Sequence, residues 1–204
     1  MESTIVFDCE FLVTENAQRR FWCGPYDPDP VIAQIGAVKL GLEQDFPVLG
    51  KMKTHVIPMD RHGNVYELDP FFTELTGITE EVISMEGVTL ENALGELDKF
   101  SGSSKLWSWG KDELNMIAIS CYVSNIKPVI PATRFGNACN VLLQVGMPYE
   151  DIKKTRSNHL AGYYGLKQET LRAHDALDDA LSVSIVLQHL LKNGSLDPKH
   201  LMAH

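Results

Sequence analysis

The first strongly apolar segment of the chain, residues 5–11, is interrupted by two acidic residues, Asp8 and Glu10. Side chains alternate across a β-strand, so a strand places both carboxylates on one face and Phe7 and Phe11 on the other. Two like charges on a half-buried surface are unfavourable unless a cation lies between them. Hard oxygen ligands select magnesium, manganese or calcium. The pattern therefore predicts a strand that contributes to a divalent-metal site, with a solvated edge strand as the alternative.

The size and composition of the chain indicate one globular domain. It has 204 residues, of which 44% are hydrophobic, which is sufficient for a core of its own. No apolar run approaches the roughly 18 residues that span a bilayer, and the N-terminus has neither a basic flank nor a long apolar segment. We therefore expect a cytoplasmic protein with no membrane partner. The four cysteines are widely separated and form no Cys-x-x-Cys pair, which argues against a zinc site.

The net charge of −9 at first argues against a nucleic-acid partner, because proteins that bind nucleic acids usually carry basic surfaces. Part of this negative charge can belong to metal ligands, however, and bound divalent ions invert the local field. Basic groups are present at Arg19–Arg20, Lys51/Lys53 and 153–156. The net charge alone therefore does not exclude nucleic acid.

Hydrophobic patterns predict three strands followed by alternating helices and strands. Strands are predicted at 5–11, 31–40, 52–57, 106–109 and 128–131, with a proline-rich loop over about 14–30. Helices are predicted at 69–77, 89–100, 111–123, 134–145 and about 175–191, with shorter ones near 79 and at 159–164. This order predicts an α/β fold whose sheet has helices on both faces.

The last long helix carries a second unexpected acid. Its apolar stripe includes Asp179, whereas Asp178 lies on the polar side and is expected to be solvated. Asp175 has the position of an N-cap residue that complements the helix dipole. His174 comes five residues before Asp179, where a neutral imidazole could accept a proton from a water molecule.

A third acid, Asp112, follows the predicted strand 106–109 at the start of a helix. The carboxyl ends of sheet strands are where α/β folds collect ligands. An ordinary first-turn acid that complements the helix dipole is the alternative. For the neighbouring Glu113, the sequence indicates only an ordinary first-turn acid.

Together these segments resemble the three motifs of the DEDDh exonuclease family, the superfamily of proofreading exonucleases and of ribonuclease T. The matching motifs are Asp8-Cys9-Glu10, Asp112 with Leu114 and Met116, and His174-Asp175-Ala176-Leu177-Asp178-Asp179. Three further segments follow the family's order, namely 34–38, 75–79 and 164–166. The resemblance covers about residues 4–191. The loop over 13–31 is unusually long, and Lys111 precedes the second aspartate.

The resemblance implies an RNase H-like fold with a five-stranded mixed sheet, and a site that holds two divalent metal ions, Mg²⁺ or Mn²⁺. The implied metal ligands are Asp8, Glu10, Asp112 and Asp179, and His174 is the implied general base. The residues implied to bind the terminal nucleotide are Phe11, Leu12, Leu75, Thr76 and Gly77. We also expect the long loop to contact the substrate strand, with Trp22 and Tyr26 toward solvent.

The activity implied is 3′–5′ exonuclease hydrolysis of a single-stranded RNA or DNA 3′ end to nucleoside 5′-monophosphates. Segment 75–79, the Trp-Gly before Lys111 and the sequence 177–180 are most similar to the branch that trims RNA 3′ ends, so RNA is favoured. A proofreading-type DNA exonuclease that acts with a polymerase is the alternative, and a nuclease-fold binding module without catalysis is a remote one. A homodimer is left open.

Overall fold

The computed structural model describes residues 2–166 and 171–202, which form one mixed five-stranded sheet in the order β3-β2-β1-β4-β5. The strands are β1 (Ser3–Phe11), β2 (Ile32–Gly41), β3 (Val48–His55), β4 (Leu106–Ser108) and β5 (Phe135–Asn137). β1, β2 and β3 pair antiparallel, whereas β1, β4 and β5 pair parallel. The predicted α/β architecture with a five-stranded mixed sheet is thus confirmed.

Helices pack on both faces of the sheet, as the strand and helix order predicted. They are α1 (Pro70–Thr76), α2 (Glu80–Glu86), α3 (Leu90–Ser101), α4 (Asp112–Val123), α5 (Ala138–Gln144), α6 (Tyr149–Ile152), α7 (Leu160–Tyr163) and α8 (Ala176–Lys192). One core layer contains Val6, Val38 and the apolar faces of α5, α7 and α8. The other contains Phe7, Ile35 and the apolar faces of α3 and α4. β1 is therefore buried on both faces, and its alternation assigns each side chain to one layer.

The fifth strand differs from the prediction. The sequence pattern placed a strand at 128–131 and a helix from residue 134, but the structure has β5 at Phe135–Asn137 and begins α5 at Ala138. Pro128 and Pro131 lack the N–H groups that a ladder requires. The short strand instead pairs in parallel with β4.

The start of α8 lies unusually close to β2. A Cβ atom on Gly36 would be only 2.1 Å from the Leu177 amide nitrogen, so no larger residue fits between strand and helix here. Gln34 Oε1, on the same strand, accepts a hydrogen bond from the Ala176 amide at 2.8 Å. This amide is one of the helix N-terminal donors that have no partner within the helix. Both contacts fix the first turn of α8, and hence Asp179, against the sheet.

Candidate active site

The structure brings Asp8, Glu10 and Asp179 together. Asp8 and Glu10 lie two residues apart on β1, and Asp179 lies in the first turn of α8, which packs over β1 and β2. Carboxylate oxygens of the three residues all lie within 4.8 Å of one another. The residues are only 8%, 8% and 6% exposed, respectively. Three acids from opposite ends of the chain thus form one buried cluster.

Burial and mutual repulsion raise the pKa of each carboxyl group in this cluster. Burial is the largest cause for Glu10, and the charges of Asp179 and Asp175 add to it, so its pKa is raised to about 8. Burial likewise raises the pKa of Asp179 to about 7. The pKa of Asp8 is raised well above its ordinary value by burial first, and then by the charges of Glu113 and Glu10. Acids this crowded stay ionised at neutral pH only if a cation joins them.

The cluster fits a divalent metal ion. Asp179 Oδ1 is buried and has no hydrogen-bond partner within the described part of the chain. A buried carboxylate oxygen without a partner is costly, and a cation satisfies it. The donors are all carboxylate oxygens, which suit Mg²⁺ and Mn²⁺ better than the softer transition metals. Asp8, Glu10 and Asp179 are the residues that would hold such an ion.

Glu113, rather than Asp112, is the buried acid at the start of α4. Asp112 borders the same cavity but its side chain is exposed, whereas Glu113 is buried beside Asp8 and Ser108. Glu113 Oε2 lacks a hydrogen-bond partner among the described residues. Burial is also the main reason that its pKa is raised to about 7. The geometry therefore places Glu113, not the expected Asp112, next to the acid cluster.

A sequence signal for Glu113 exists on α4. Glu113, Met116, Ile117 and Ser120 are all buried and recur at the spacing of one helix face. Glu113 therefore stands on the buried stripe of its helix, as Asp179 does on α8. The same test applied to Asp112 places it on the solvent side.

His174 borders the cavity just before α8, half-buried and in the left-handed region at φ 60°. A histidine in this region carries backbone strain of about 1 kcal/mol or more. Burial and the neighbouring charge of Arg156 lower the pKa of the imidazole, which favours its neutral form. The His174 backbone amide also lies beside the Asp179 carboxylate and lowers the pKa of that group. The backbone at His174 is thus fixed close to the Asp179 carboxylate.

The two remaining acids near α8 have structural roles. Asp175 caps the helix, because its Oδ1 accepts hydrogen bonds from the amides of Leu177 at 3.1 Å and Asp178 at 3.3 Å. Asp175 also forms an ion pair with Lys53 on β3. Asp178 is half-buried, and its Oδ2 accepts a hydrogen bond from the Arg172 amide at 2.8 Å. It is therefore not simply solvated, as the helix pattern suggested.

The residues expected to bind the terminal nucleotide do not all reach the cavity, which has a volume of about 490 Å³. Phe11, Leu75 and Thr76 line it. The Leu12 side chain is instead buried in a separate hydrophobic cluster with α1. Gly77 is covered by the Arg172 guanidinium, which lies so close that a Cβ atom would meet its nitrogens at 2.1 Å.

Among the other cavity residues, four polar ones were not assigned to the site by the sequence motifs. They are Arg156, Ser157 and Asn158 around the 3₁₀ turn Ser157–His159, and Arg19 in the long loop. Asn158 Oδ1 is buried without a hydrogen-bond partner among the described residues. None of these residues carries a motif of its own. Their position depends on how two loops fold over the end of β1.

The mixed sheet, with acids on its central strand and on the last helix, is the RNase H-like fold of the DEDDh 3′–5′ exonucleases. No family model matches the sequence, and the search of curated proteins gave no match. Solved structures do match. The nuclease domain of 3′hExo, a DEDDh family member bound to rAMP, is 19% identical with a TM-score of 0.76, over 95% of this chain and 94% of that one.

Two other solved structures show the same fold. Cell-death related nuclease 4 (CRN-4) is 19% identical with a TM-score of 0.71, over 95% of this chain and 65% of that one. An E. coli exonuclease I complex with single-stranded DNA is 17% identical with a TM-score of 0.60, over 95% of this chain and 41% of that one. No helix in the described ranges has the length and apolarity that a membrane crossing requires.

Proposed function

We propose that this chain is a metal-dependent 3′–5′ exonuclease that hydrolyses the 3′-terminal phosphodiester of single-stranded nucleic acid, preferably RNA. The observation that carries the proposal is the cluster of Asp8, Glu10 and Asp179, which are buried and lie within 4.8 Å of one another. Such a cluster is unfavourable as a purely structural feature. It becomes favourable when cations and the phosphate they attract occupy the adjoining cavity.

The four acids of the site have two different roles. Asp8, Glu10 and Asp179 would hold the ions, and Glu113 is the fourth acidic group, in the place that Asp112 was expected to take. Two ions, Mg²⁺ or Mn²⁺, supply Lewis-acid activation and neutralise charge on the phosphate when bound. Burial of the acids lowers the local dielectric constant and strengthens each charge interaction.

His174 acts as the general base. Burial and the charge of Arg156 lower the pKa of the imidazole and so favour its neutral form, in which one ring nitrogen can accept the proton of the attacking water. The left-handed backbone at His174 and the contact of its amide with Asp179 fix the ring relative to the acid cluster. When the bond between phosphorus and the 3′-oxygen of the preceding nucleotide breaks, that oxygen takes up a proton from solvent to give a 3′-hydroxyl, and the protonated ring returns its proton to solvent.

The proposed preference for RNA is supported by the solved structures that share this fold. The structure with a TM-score of 0.76 contains rAMP, and a related one concerns a histone mRNA stem-loop, whereas the DNA-bound exonuclease I has a TM-score of 0.60. Phe11 and Leu75 supply apolar surface in the cavity for the terminal base. The 490 Å³ volume lies within the range of small-molecule sites and is sufficient for a nucleotide end.

The test is stepwise shortening of 5′-labelled single-stranded RNA and DNA of the same sequence, with and without Mn²⁺, and chromatographic identification of the released nucleoside 5′-monophosphates. Asp8→Asn and Asp179→Asn should each lower the rate at least about a hundredfold, because each removes an anionic ligand of the ions that would stabilise the charge developing on the phosphate. Glu91→Gln is the matched control, since Glu91 is an exposed carboxylate on α3, which packs on the other face of the sheet.

The outcomes separate the alternatives. A higher rate on DNA than on RNA would favour the proofreading-type enzyme. Metal-dependent hydrolysis that survives Asp179→Asn would contradict the site assignment. Metal binding without hydrolysis of either substrate would leave a nuclease-fold binding module, and the enzymatic proposal would fail.

A further inference from the structure

The long loop between β1 and β2 forms part of the wall of the cavity that contains the acid cluster. Asn16, Ala17, Gln18 and Arg19 line that cavity together with Asp8 and Glu10. The sequence alone marked this loop as irregular and proline-rich, with no element of its own. In the structure it contains the 3₁₀ turn Gln18–Arg20, and Ala17 is fully buried beneath it. The loop therefore has a defined fold and forms part of the cavity wall.

One buried carboxylate, Asp27, holds the loop together. Its side chain is 1% exposed. Thr14 Oγ1 donates to Asp27 Oδ1 at 2.5 Å, Arg20 Nε donates to Oδ2 at 2.8 Å, and the Gly24 amide donates to Oδ2 at 2.7 Å. The Arg20 guanidinium also donates to the Glu15 carbonyl at 2.6 Å. These bonds join the two ends of the loop, and the hydrogen bonds from Arg20 and Thr14 hold the pKa of Asp27 well below its ordinary value.

The loop backbone needs this support. Asn16, Phe21 and Trp22 adopt φ values of 59°, 57° and 49°, in the region that side chains other than glycine rarely adopt. Each such residue costs about 1 kcal/mol or more, so a loop without cross-links would relax. The network around Asp27 is therefore what fixes the direction of the side chains between Asn16 and Arg20.

The two adjacent arginines have different surroundings. The Arg20 guanidinium forms an ion pair and hydrogen bonds with the Asp27 carboxylate. Arg19 is exposed and borders the cavity; its amide donates to the Asn16 carbonyl at 3.0 Å, but its guanidinium makes no hydrogen bond or ion pair within the described part of the chain. On a chain with a net charge of −9, an unpaired guanidinium beside a cluster of acids would be attracted to them. Instead it stands on the loop wall, available to an anion.

We propose that Arg19 binds a backbone phosphate of the substrate strand beyond its terminal nucleotide. This rests on the proposed exonuclease function and adds the residue that recognises the strand rather than its end. A guanidinium forms two parallel hydrogen bonds to phosphate oxygens. The acid cluster, with the ions it would hold, would take the scissile phosphate, which leaves the Arg19 guanidinium on the loop wall for another phosphate of the same strand. Arg20, through Asp27, positions the loop that presents Arg19.

Binding of a 5′-fluorescein 12-nucleotide RNA to the full chain, in Ca²⁺ and followed by fluorescence anisotropy over a range of salt, tests the contact without catalysis. Arg19→Ala should weaken binding about tenfold and reduce the slope of log K against log salt by about 0.7, the value for one single-strand phosphate. Arg19→Lys should retain the slope. Lys127→Ala is the control, because Lys127 is exposed and lies outside the cavity. An unchanged affinity and slope for Arg19→Ala would overturn the proposal.

A minimal substrate separates this inference from the proposed function. The p-nitrophenyl ester of thymidine 5′-monophosphate has the scissile bond but no further phosphate. Its Mn²⁺-dependent hydrolysis by the wild type tests the exonuclease chemistry itself. Arg19→Ala should leave this hydrolysis within about twofold while raising the KM for the 12-nucleotide RNA about tenfold. An equal loss on both substrates would contradict the strand contact and place Arg19 at the terminal nucleotide.

A separate experiment tests whether Asp27 and Arg20 position the loop that presents Arg19. Asp27→Asn keeps the shape of the side chain but weakens the charge-assisted bonds from Arg20. It should raise the KM for RNA in the same direction as Arg19→Ala, without altering hydrolysis of the minimal ester. Adding Arg19→Ala to Asp27→Asn should then cause little further loss. Fully additive losses would show that the network around Asp27 does not act through Arg19.

Discussion

Replacing Gly36 with alanine should displace the start of α8 and so move Asp179 away from the carboxylates of β1. The added Cβ atom would lie 2.1 Å from the Leu177 amide nitrogen and 2.2 Å from the Ala176 carbonyl carbon. Both neighbours are backbone atoms, which cannot rotate away as the end of a side chain can. Ordinary contact begins at 3.4 Å, so the helix must retreat by about 1.3 Å, the difference between 3.4 and 2.1 Å.

The expected magnitudes follow from this displacement. A shift of about 1 Å in an active site can lower the rate about a hundredfold, and overpacking costs about 1–3 kcal/mol of folding free energy. In a chain of 204 residues, each kcal/mol corresponds to about 2–4 °C in Tm. Gly36→Ala should therefore lower kcat/KM about a hundredfold, weaken Mn²⁺ binding, and lower Tm by about 2–12 °C.

The assay combines thermal unfolding, Mn²⁺ titration calorimetry and hydrolysis of single-stranded RNA at a temperature where the variant is folded. Gly95→Ala is the matched control, since Gly95 is exposed on α3 and a Cβ atom there would meet nothing within 4 Å. That change should stabilise the protein by about 0.5–1 kcal/mol through its helix propensity. A folded Gly36→Ala protein with unchanged activity and metal affinity would refute the close-approach reasoning.

Three further predictions concern the acids and the base. Glu113→Gln should weaken Mn²⁺ binding and lower the RNA hydrolysis rate about a hundredfold. Asp112→Asn should change the Mn²⁺ affinity and the hydrolysis rate by less than about threefold. A larger loss in Asp112→Asn than in Glu113→Gln would return Asp112 to the site. Without metal, Tm should fall as the pH rises from about 5 to 8, because the raised pKa values of Glu10 and Asp179, about 8 and about 7, make the native state bind more protons than the unfolded state. Mn²⁺ should reverse that fall, and a flat profile in differential scanning fluorimetry without metal would disagree with burial of these acids. His174→Ala should lower kcat about a hundredfold while Mn²⁺ affinity stays within about threefold, and normal single-turnover rates in this variant would remove it from the general-base role.

Alternation and helix periodicity predicted much of the site. On β1 they placed Asp8 and Glu10 on one face, and on α8 they placed Asp179 on the buried stripe, because both patterns are local and survive in any packing of those elements. The same periodicity on α4 marks Glu113. The resemblance to an aspartate motif drew attention to Asp112, one residue earlier, which is exposed at the border of the cavity rather than buried in the cluster.

What the sequence could not predict depends on tertiary contacts. β5 is three residues long and exists only because β4 offers it a parallel partner, so no local pattern marks it. The burial of Leu12 beneath α1 and the packing of Arg172 on Gly77 likewise depend on elements far along the chain. The network of Asp27 has no periodicity, since its donors come from an irregular loop.

The acid cluster joins the first strand, Ser3–Phe11, to the last long helix, Ala176–Lys192. During synthesis the N-terminal segments emerge first, at about 5–20 residues per second. A partly made chain therefore displays Asp8 and Glu10 for many seconds without Asp179 or His174. The proposed nuclease therefore cannot cut RNA until Ala176–Lys192 has been made and has packed on the sheet. The wide separation of the ligands in sequence thus delays activity until well after the first strand has left the ribosome.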